Sequence, residues 1–341
     1  MMKYFKWSFG VLIGGIVFAF WRGESMQAGL GFKDVVAALI ISALEISLSF
    51  DNAVINAAKL EKMSEIWRRR FLTWGIAIAV FGMRFVFPIA IVAVFSGISC
   101  RAVLDLALHN PDEYARLLSH AHVGISSFGG AFLFMLFFEF MFDREKSVHW
   151  ISALEKPLHK LGRFKAAPTL LTLAMLGVVQ TLLPRDEIAM SLVAGVAGVA
   201  IHLAIHGASA KLEKMAAAQH AFALKHAGLM AFVYLELIDA SFSLDGVLGA
   251  FAITKDVMII ALGLAVGAFF VRSLTVALVE KKTLDKLCYL THGAYWAIGT
   301  LAALMFVSTI REVPEIVTGL TGIALIVSSL VCSLKPAKRG A

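Results

Sequence analysis

The octapeptide EISLSFDN, residues 45–52, sets Glu45, Ser49, Asp51 and Asn52 inside an apolar run, and DASFSLDG at 239–246 repeats its spacing with Asp239, Ser243 and Asp245. Carboxylate, hydroxyl and amide oxygens are ligands for hard divalent cations such as Mn2+, Mg2+ or Ca2+, and neither stretch holds the Cys or Met that a softer metal prefers. A charged side chain at the centre of a membrane helix costs at least about 2.5–3.5 kcal/mol on insertion scales. The four acids are therefore expected to face one another, a cavity or an ion, with Arg84 and Arg272 as counter-ions or gate elements. Four ionised carboxylates and two guanidiniums leave a charge of minus two, which a single divalent ion neutralises. Ser49 and Ser243, beside the deeper aspartates, are the serines expected as ligands, and Glu236 is an accessory acid.

The rest of the chain must place these residues in a bilayer. Of its 341 residues 59% are hydrophobic and 16% charged, with a mean hydropathy of +0.81, the composition of a polytopic all-α membrane protein. Ten apolar spans are expected, at 5–21, 35–58, 71–96, 122–142, 167–184, 188–210, 226–253, 257–279, 289–310 and 313–334. The first lacks a small-x-small cleavage site and is read as a membrane helix, not a signal peptide. With the N-terminus in the cytoplasm, the cytoplasmic segments hold 22 Lys and Arg and the opposite side 7, as the positive-inside rule requires. Both termini and the connecting loop 143–166 then face the cytoplasm. The net charge of +7 reads as topology, not as a nucleic-acid surface. Cys100, Cys288 and Cys332 lie far apart and form neither a disulfide framework nor a redox pair.

The match between the acidic stretches continues downstream. Gly75 precedes Arg84 by nine residues and Gly263 precedes Arg272 by nine, and His122 with Gly129 matches His292 with Gly299. Spans 2, 3 and 4 thus correspond to 7, 8 and 9. Partners five spans apart cross the membrane in opposite directions, so a single membrane domain built of two inverted repeats, 1–184 and 185–341, is expected. Residues i and i+6 differ by about 240° around a helix, so Glu45 and Asp51 both face inward only if the helix breaks near Phe50 to Asn52. Its counterpart is expected to break near Leu244 to Gly246. His202 and His206, four apart near the cytoplasmic end of span 6, have metal-ligand spacing and are read as interfacial histidines, with an accessory role as regulatory metal site or proton relay as the alternative; His220 and His226 extend the cluster around the following loop. His122 and His292 are read as helix caps.

ExxxSxDN at 45–52, DxxxSxDGVLGAFAIT at 239–254 and THGAYWAIGTLAAL at 291–304 resemble the TerC/Alx family of bacterial integral membrane proteins, over spans 2 to 4 and 7 to 10. That family belongs to a superfamily with the LysE exporters. The resemblance implies manganese efflux, tellurium resistance or metal supply to exported enzymes, and residence in the bacterial inner membrane. Carried over by position, it marks Glu45, Asp51, Asn52, Asp239 and Asp245 as the cation site. The chain departs from the family at Gly246, where Ser is usual.

An enzyme is not expected, since HExxH, GxSxG and phosphate-binding loops are absent from the sequence. A prosthetic group is not expected either; the partners are a divalent metal ion, protons and lipid. Moving a divalent cation outward costs about 4.6 kcal/mol per 100 mV, twice the value for one charge, so a Mn2+ exporter is expected to run as a proton antiporter. Glu45 and Asp239 would then carry protons, with Asp51 and Asp245 as more permanent ligands. The rival class is a non-transporting membrane module that holds metal or partner proteins.

Overall fold

The computed structural model describes residues 2–61, 63–217, 221–281, 287–311 and 313–334; within them the side chains of residues 2, 72, 76, 212–217, 221–227, 241–245, 248, 252, 315 and 316 fall outside the description. The described residues are helical, with no strand. In order the helices are α1 Met2–Met26, α2 Leu30–Leu48, α3 Phe50–Leu60, α4 Glu65–Ala77, a π-helical segment Ile78–Val86, α5 Phe87–Ser96, α6 Cys100–His109, α7 Pro111–Met141, α8 Ser152–Leu161, α9 Ala167–Gln180, α10 Arg185–Ala217, α11 Ala221–Ile253, α12 Val257–Glu280, α13 Leu290–Ser308 and α14 Glu315–Leu334. Seven among the described residues are long and apolar enough to cross a membrane, or eight when the bent pair α2–α3 counts as one span. The two other expected spans are α9, which is apolar but only 14 residues long, and α11, which carries Glu236 at its middle and Asp239 and Asp245 beyond it.

Burial sorts these helices. α7 is 83% buried over its most apolar window, whereas α1 and α14 are 17% buried and present side chains such as Trp7 and Trp21 outward, as lipid-facing helices do. The core is the phenylalanine-rich half of α7 packed on α10 and α13. There Phe137 rests on Gly299 and Phe306 on Gly130. A Cβ on those glycines would come within 2.6 and 2.7 Å of the facing rings. This reciprocal contact makes α7 and α13 antiparallel.

Glycines also set the path of α12. Gly263 lies against Ile41, and Gly267 against the stem of Glu45, whose Cβ and Cγ are 2.6 Å from where a glycine Cβ would stand. Their GxxxG spacing lets two backbones approach closely, and it makes α12 parallel to α2. α12 turns back from α11 at residues 254–256, where Asp256 caps it by accepting from the N–H groups of Met258 and Ile259 and pairs with Arg22 of α1. Consequently α2 and α11 run in opposite directions.

Two irregularities interrupt the first half of the chain. α2 and α3 meet at Ser49 with a bend of 50°, one residue ahead of the stretch where a break was expected. Helix α11, by contrast, is continuous through Leu244 and Gly246, so the break expected there does not occur. The π-helical segment has a local cause: Pro88 has no N–H to give to the carbonyl four residues back, and the N–H of Phe87 bonds instead to Gly82, five back.

The 143–166 segment is more than a loop, because α8 within it docks under α13 through a buried Glu155. Its carboxylate accepts from Lys146 Nζ (3.0 Å), Trp296 Nε1 (3.0 Å) and the Ile151 N–H (3.2 Å). Burial pushes the Glu155 carboxyl up, but those hydrogen bonds and the Lys146 charge outweigh it and hold the group below the usual carboxylate range. His292 donates to or accepts nothing at its own helix end. Its Nε2 lies 2.7 Å from the Val148 carbonyl and ties α13 to this segment, while His122 sits well inside α7, 3.2 Å from Ser126 Oγ. Neither histidine is a cap.

Candidate functional site

Arg84, at the end of the π-helical segment, projects into the space between α2 and α11. One Nη donates to Asp239 Oδ2 and to the Ala79 carbonyl, each at 3.0 Å, and the other donates to Glu45 Oε1. The side chains of Arg84 and Glu45 are 3% and 2% exposed, so the pairing is sealed from solvent. The bend at Ser49 completes the group. Ser49 Oγ donates to Glu45 Oε1 at 2.9 Å, and Asn52, in the first turn of α3, donates through Nδ2 to Asp239 Oδ1 at 2.6 Å. Two acids, one guanidinium, one hydroxyl and one amide from three stretches of chain thus form one buried network. The Arg84 Nε and Asn52 Oδ1 within it are buried without a partner.

On the α11 side the network has room because of a glycine, not because of a helix break. A Cβ at Gly246 would lie 2.8 Å from Glu45 Oε2, so this position is the notch that receives Glu45. This is the role of Gly246, in place of the break first expected of it.

Arg272 is not hydrogen-bonded into this group, although the Asp239 charge acts on it as well as that of Glu236. It stands 3.9 Å from Glu236, with its guanidinium 4.0 Å from the centroid of the Phe71 ring, and Gly75 provides the space for both ends. Glu236 has both carboxylate oxygens buried without a hydrogen bond, so it is less well satisfied than Glu45. Asp51 also lies apart. Its Oδ1 accepts from the Asn52 N–H, and the side chain lines a small pocket with Ser47, Leu301, Thr318 and Gly319, towards α13 and α14. The bend therefore turns Asn52, and not Asp51, onto the pair Arg84–Asp239. The expectation that Glu45 and Asp51 converge is not met in this arrangement. The side chains of Ser243 and Asp245 lie outside the described residues.

The histidines divide as well. His202 is 1% exposed, packed within the protein, and its Nε2 lies 3.2 Å from Glu139 of α7; His206 Nδ1 lies 2.9 Å from the same carboxylate. His220 and the side chain of His226 are outside the described residues. Glu139 was missed from sequence although a signal existed, since it is the single acid in the run AFLFMLFFEFM. The GxxxG pair Gly263–Gly267, which seats Glu45, was equally visible in the sequence and equally missed.

No curated protein and no solved structure matches the chain. A family model does: the one described as Protein of unknown function (DUF475) covers residues 50–340, taking in Asn52, Arg84, Asp239 and Arg272, and the chain belongs to that family.

Proposed function

We propose that the protein is a secondary transporter that exports a divalent cation, most readily Mn2+, from the bacterial cytoplasm in exchange for protons. The observation that carries this reading is Arg84, a buried guanidinium clamped between carboxylates of two oppositely directed helices, α2 and α11. Buried acids at membrane depth need a positive charge beside them. Arg84 supplies it between Glu45 and Asp239, in the space a cation bridging both would need, so arginine and cargo exclude each other. Transport alternates them: cation entry drives Arg84 aside, and its return expels the ion. A divalent cation brings one more charge than Arg84 removes, and loss of a proton from Glu236, the buried acid that stands outside the Arg84 clamp without a hydrogen bond, compensates it. The antiparallel pairs α2 with α11 and α7 with α13 support an inverted-repeat arrangement, and the oxygen-only donors Glu45, Ser49, Asn52 and Asp239 favour a hard ion. The resemblance to the TerC/Alx family supports the same class, with Asp51 and Asp245 as acids along the path.

The test is Mn2+ flux in sealed proteoliposomes at clamped voltage with an imposed pH gradient. Wild type is expected to move Mn2+ against the inward proton flow, and Glu45→Gln or Asp239→Asn to abolish that flux in protein that inserts normally. Flux unaltered by both substitutions would remove the site; flux absent from wild type under every gradient would favour a membrane module that holds metal without moving it.

A further inference from the structure

A second constellation lies at the other end of the α7–α10 interface, where α7 approaches the 143–166 segment. Among the described residues, Glu139, His202 and His206 are the group of metal-ligating side chains whose ligand atoms all lie within 4.8 Å of one another. Glu139 comes from α7, and the histidines are one turn apart on α10, which puts both rings on one face. The rings lie nearly parallel, at an interplanar angle of 5°. Two imidazole nitrogens, His202 Nε2 and His206 Nδ1, point at one carboxylate from 3.2 and 2.9 Å. Neighbouring ligands in a tetrahedral shell of 2.1 Å bonds are about 3.4 Å apart, so these atoms need little movement to share an ion.

The surroundings point the same way. His202 is held by T-shaped contacts with Phe132 and Tyr234, at centroid distances of 5.2 and 6.0 Å, and its other nitrogen, Nδ1, is buried without a hydrogen-bond partner. If both imidazoles merely donated to Glu139, that Nδ1 would be a bare lone pair in an aromatic wall unless the ring were charged. Coordination through Nε2 places the proton on Nδ1 of a neutral ring, so an N–H, which an aromatic face attracts, stands against that wall in place of a lone pair, which it repels. The opposite side is not covered by protein, because His206 is 53% exposed and Glu139 33%, which leaves a coordination position free for a fourth ligand.

We propose that Glu139, His202 and His206 bind a borderline divalent transition metal, of which Zn2+ is the type, and that the bound ion pins α10 to α7. The site differs in chemistry from the Arg84 network. Two imidazoles and a carboxylate follow the order that ranks Zn2+, Cu2+ and Ni2+ above Mn2+, whereas an all-oxygen set suits hard ions. The inference does not depend on transport and holds if the export reading fails.

Full-length protein in detergent is titrated with Co2+ and Zn2+. Wild type and Glu45→Gln are each expected to bind one Co2+ per chain with the visible absorption of a tetrahedral site, to lose it to Zn2+, and to melt at a higher temperature with Zn2+ present. His206→Ala, at a half-exposed position, and Glu139→Gln are each expected to weaken binding at least about 100-fold, the upper end of what loss of an outer-shell partner alone costs. Wild type without stoichiometric Co2+ binding, or affinity unchanged in both ligand variants, would overturn the assignment. Affinity lost in Glu45→Gln would move the metal to the Arg84 network and overturn it as well.

Discussion

The two stretches that match in sequence, 45–84 and 239–272, are built differently. In the first, the chain bends at Ser49 and widens into a π-helix before Arg84; in the second, α11 and α12 are regular helices throughout. Pro88 accounts for the π-helix, and the residue at the matching distance beyond Arg272 is Val276, which keeps its N–H. The consequence reaches the arginines. Arg84 is bonded to two carboxylates and a carbonyl across helices, while Arg272 stands against one poorly satisfied acid and a ring. A shared motif thus fixes which chemical groups enter the membrane core, and the backbone irregularities decide which of them meet.

The largest expected effect separates the two arginines. Removing Arg84 strands two buried carboxylates, which costs about 3–5 kcal/mol when a buried ion pair is broken, so Arg84→Gln is expected to lower the unfolding free energy by that amount in detergent. Arg272→Gln gives up one long ion pair and a ring contact, and about 1–3 kcal/mol is expected. Equal losses in denaturant titrations would erase the distinction.

A smaller effect tests the glycines that seat the two groups. Ala at 267 meets the stem of Glu45 on the neighbouring helix, and overpacking of about 1–3 kcal/mol is expected. Ala at 75 meets only the ends of the flexible Arg272 and Glu236, at 2.7 and 2.8 Å, which can move away, so it is expected to cost less. Thermal melts of Gly267→Ala and Gly75→Ala side by side give the order, and the reverse order would show that α2 and α12 are not held at this approach.

The smallest effect lies outside the membrane core, at Glu155. Its carboxyl is held below the usual range in the folded protein, so the stability it contributes is fully present above the unfolded value of about 4.3 and fades as pH falls through the depressed folded value. Glu155→Gln is expected to flatten that acid limb and to alter the dependence in the histidine range as well, because His149 and His292 lie 3.5 and 3.7 Å from the same carboxylate. Melting temperatures of the two proteins that fall in parallel from pH 6 to pH 3 would assign the acid sensitivity elsewhere.

Much of this was legible in the sequence. The apolar runs mark α1, α7, α10 and α12 to α14, and the acids and arginines stand out because lipid tolerates neither alone. What periodicity could not provide was the direction of side chains beyond an irregular turn: the bend at Ser49 was foreseen within a few residues, yet the choice of Asn52 over Asp51 depends on its angle. The uninterrupted α11 was misjudged because the same serine-rich motif is bent in one copy and straight in the other. Glu139 escaped because its partnership with His202 crosses from α7 to α10, and local spacing reports only the two histidines.

The paired exchange of Phe137 onto Gly299 and Phe306 onto Gly130 has the form of an isologous dimer interface folded within a single polypeptide. A contact of that kind is read twice, so a volume added at one glycine has its natural compensation in the ring opposite, and the same exchange is available at the other end of the pair. Substitutions here are therefore coupled across roughly half the chain length, and the effect of any one of them depends on a residue that sequence proximity would never nominate.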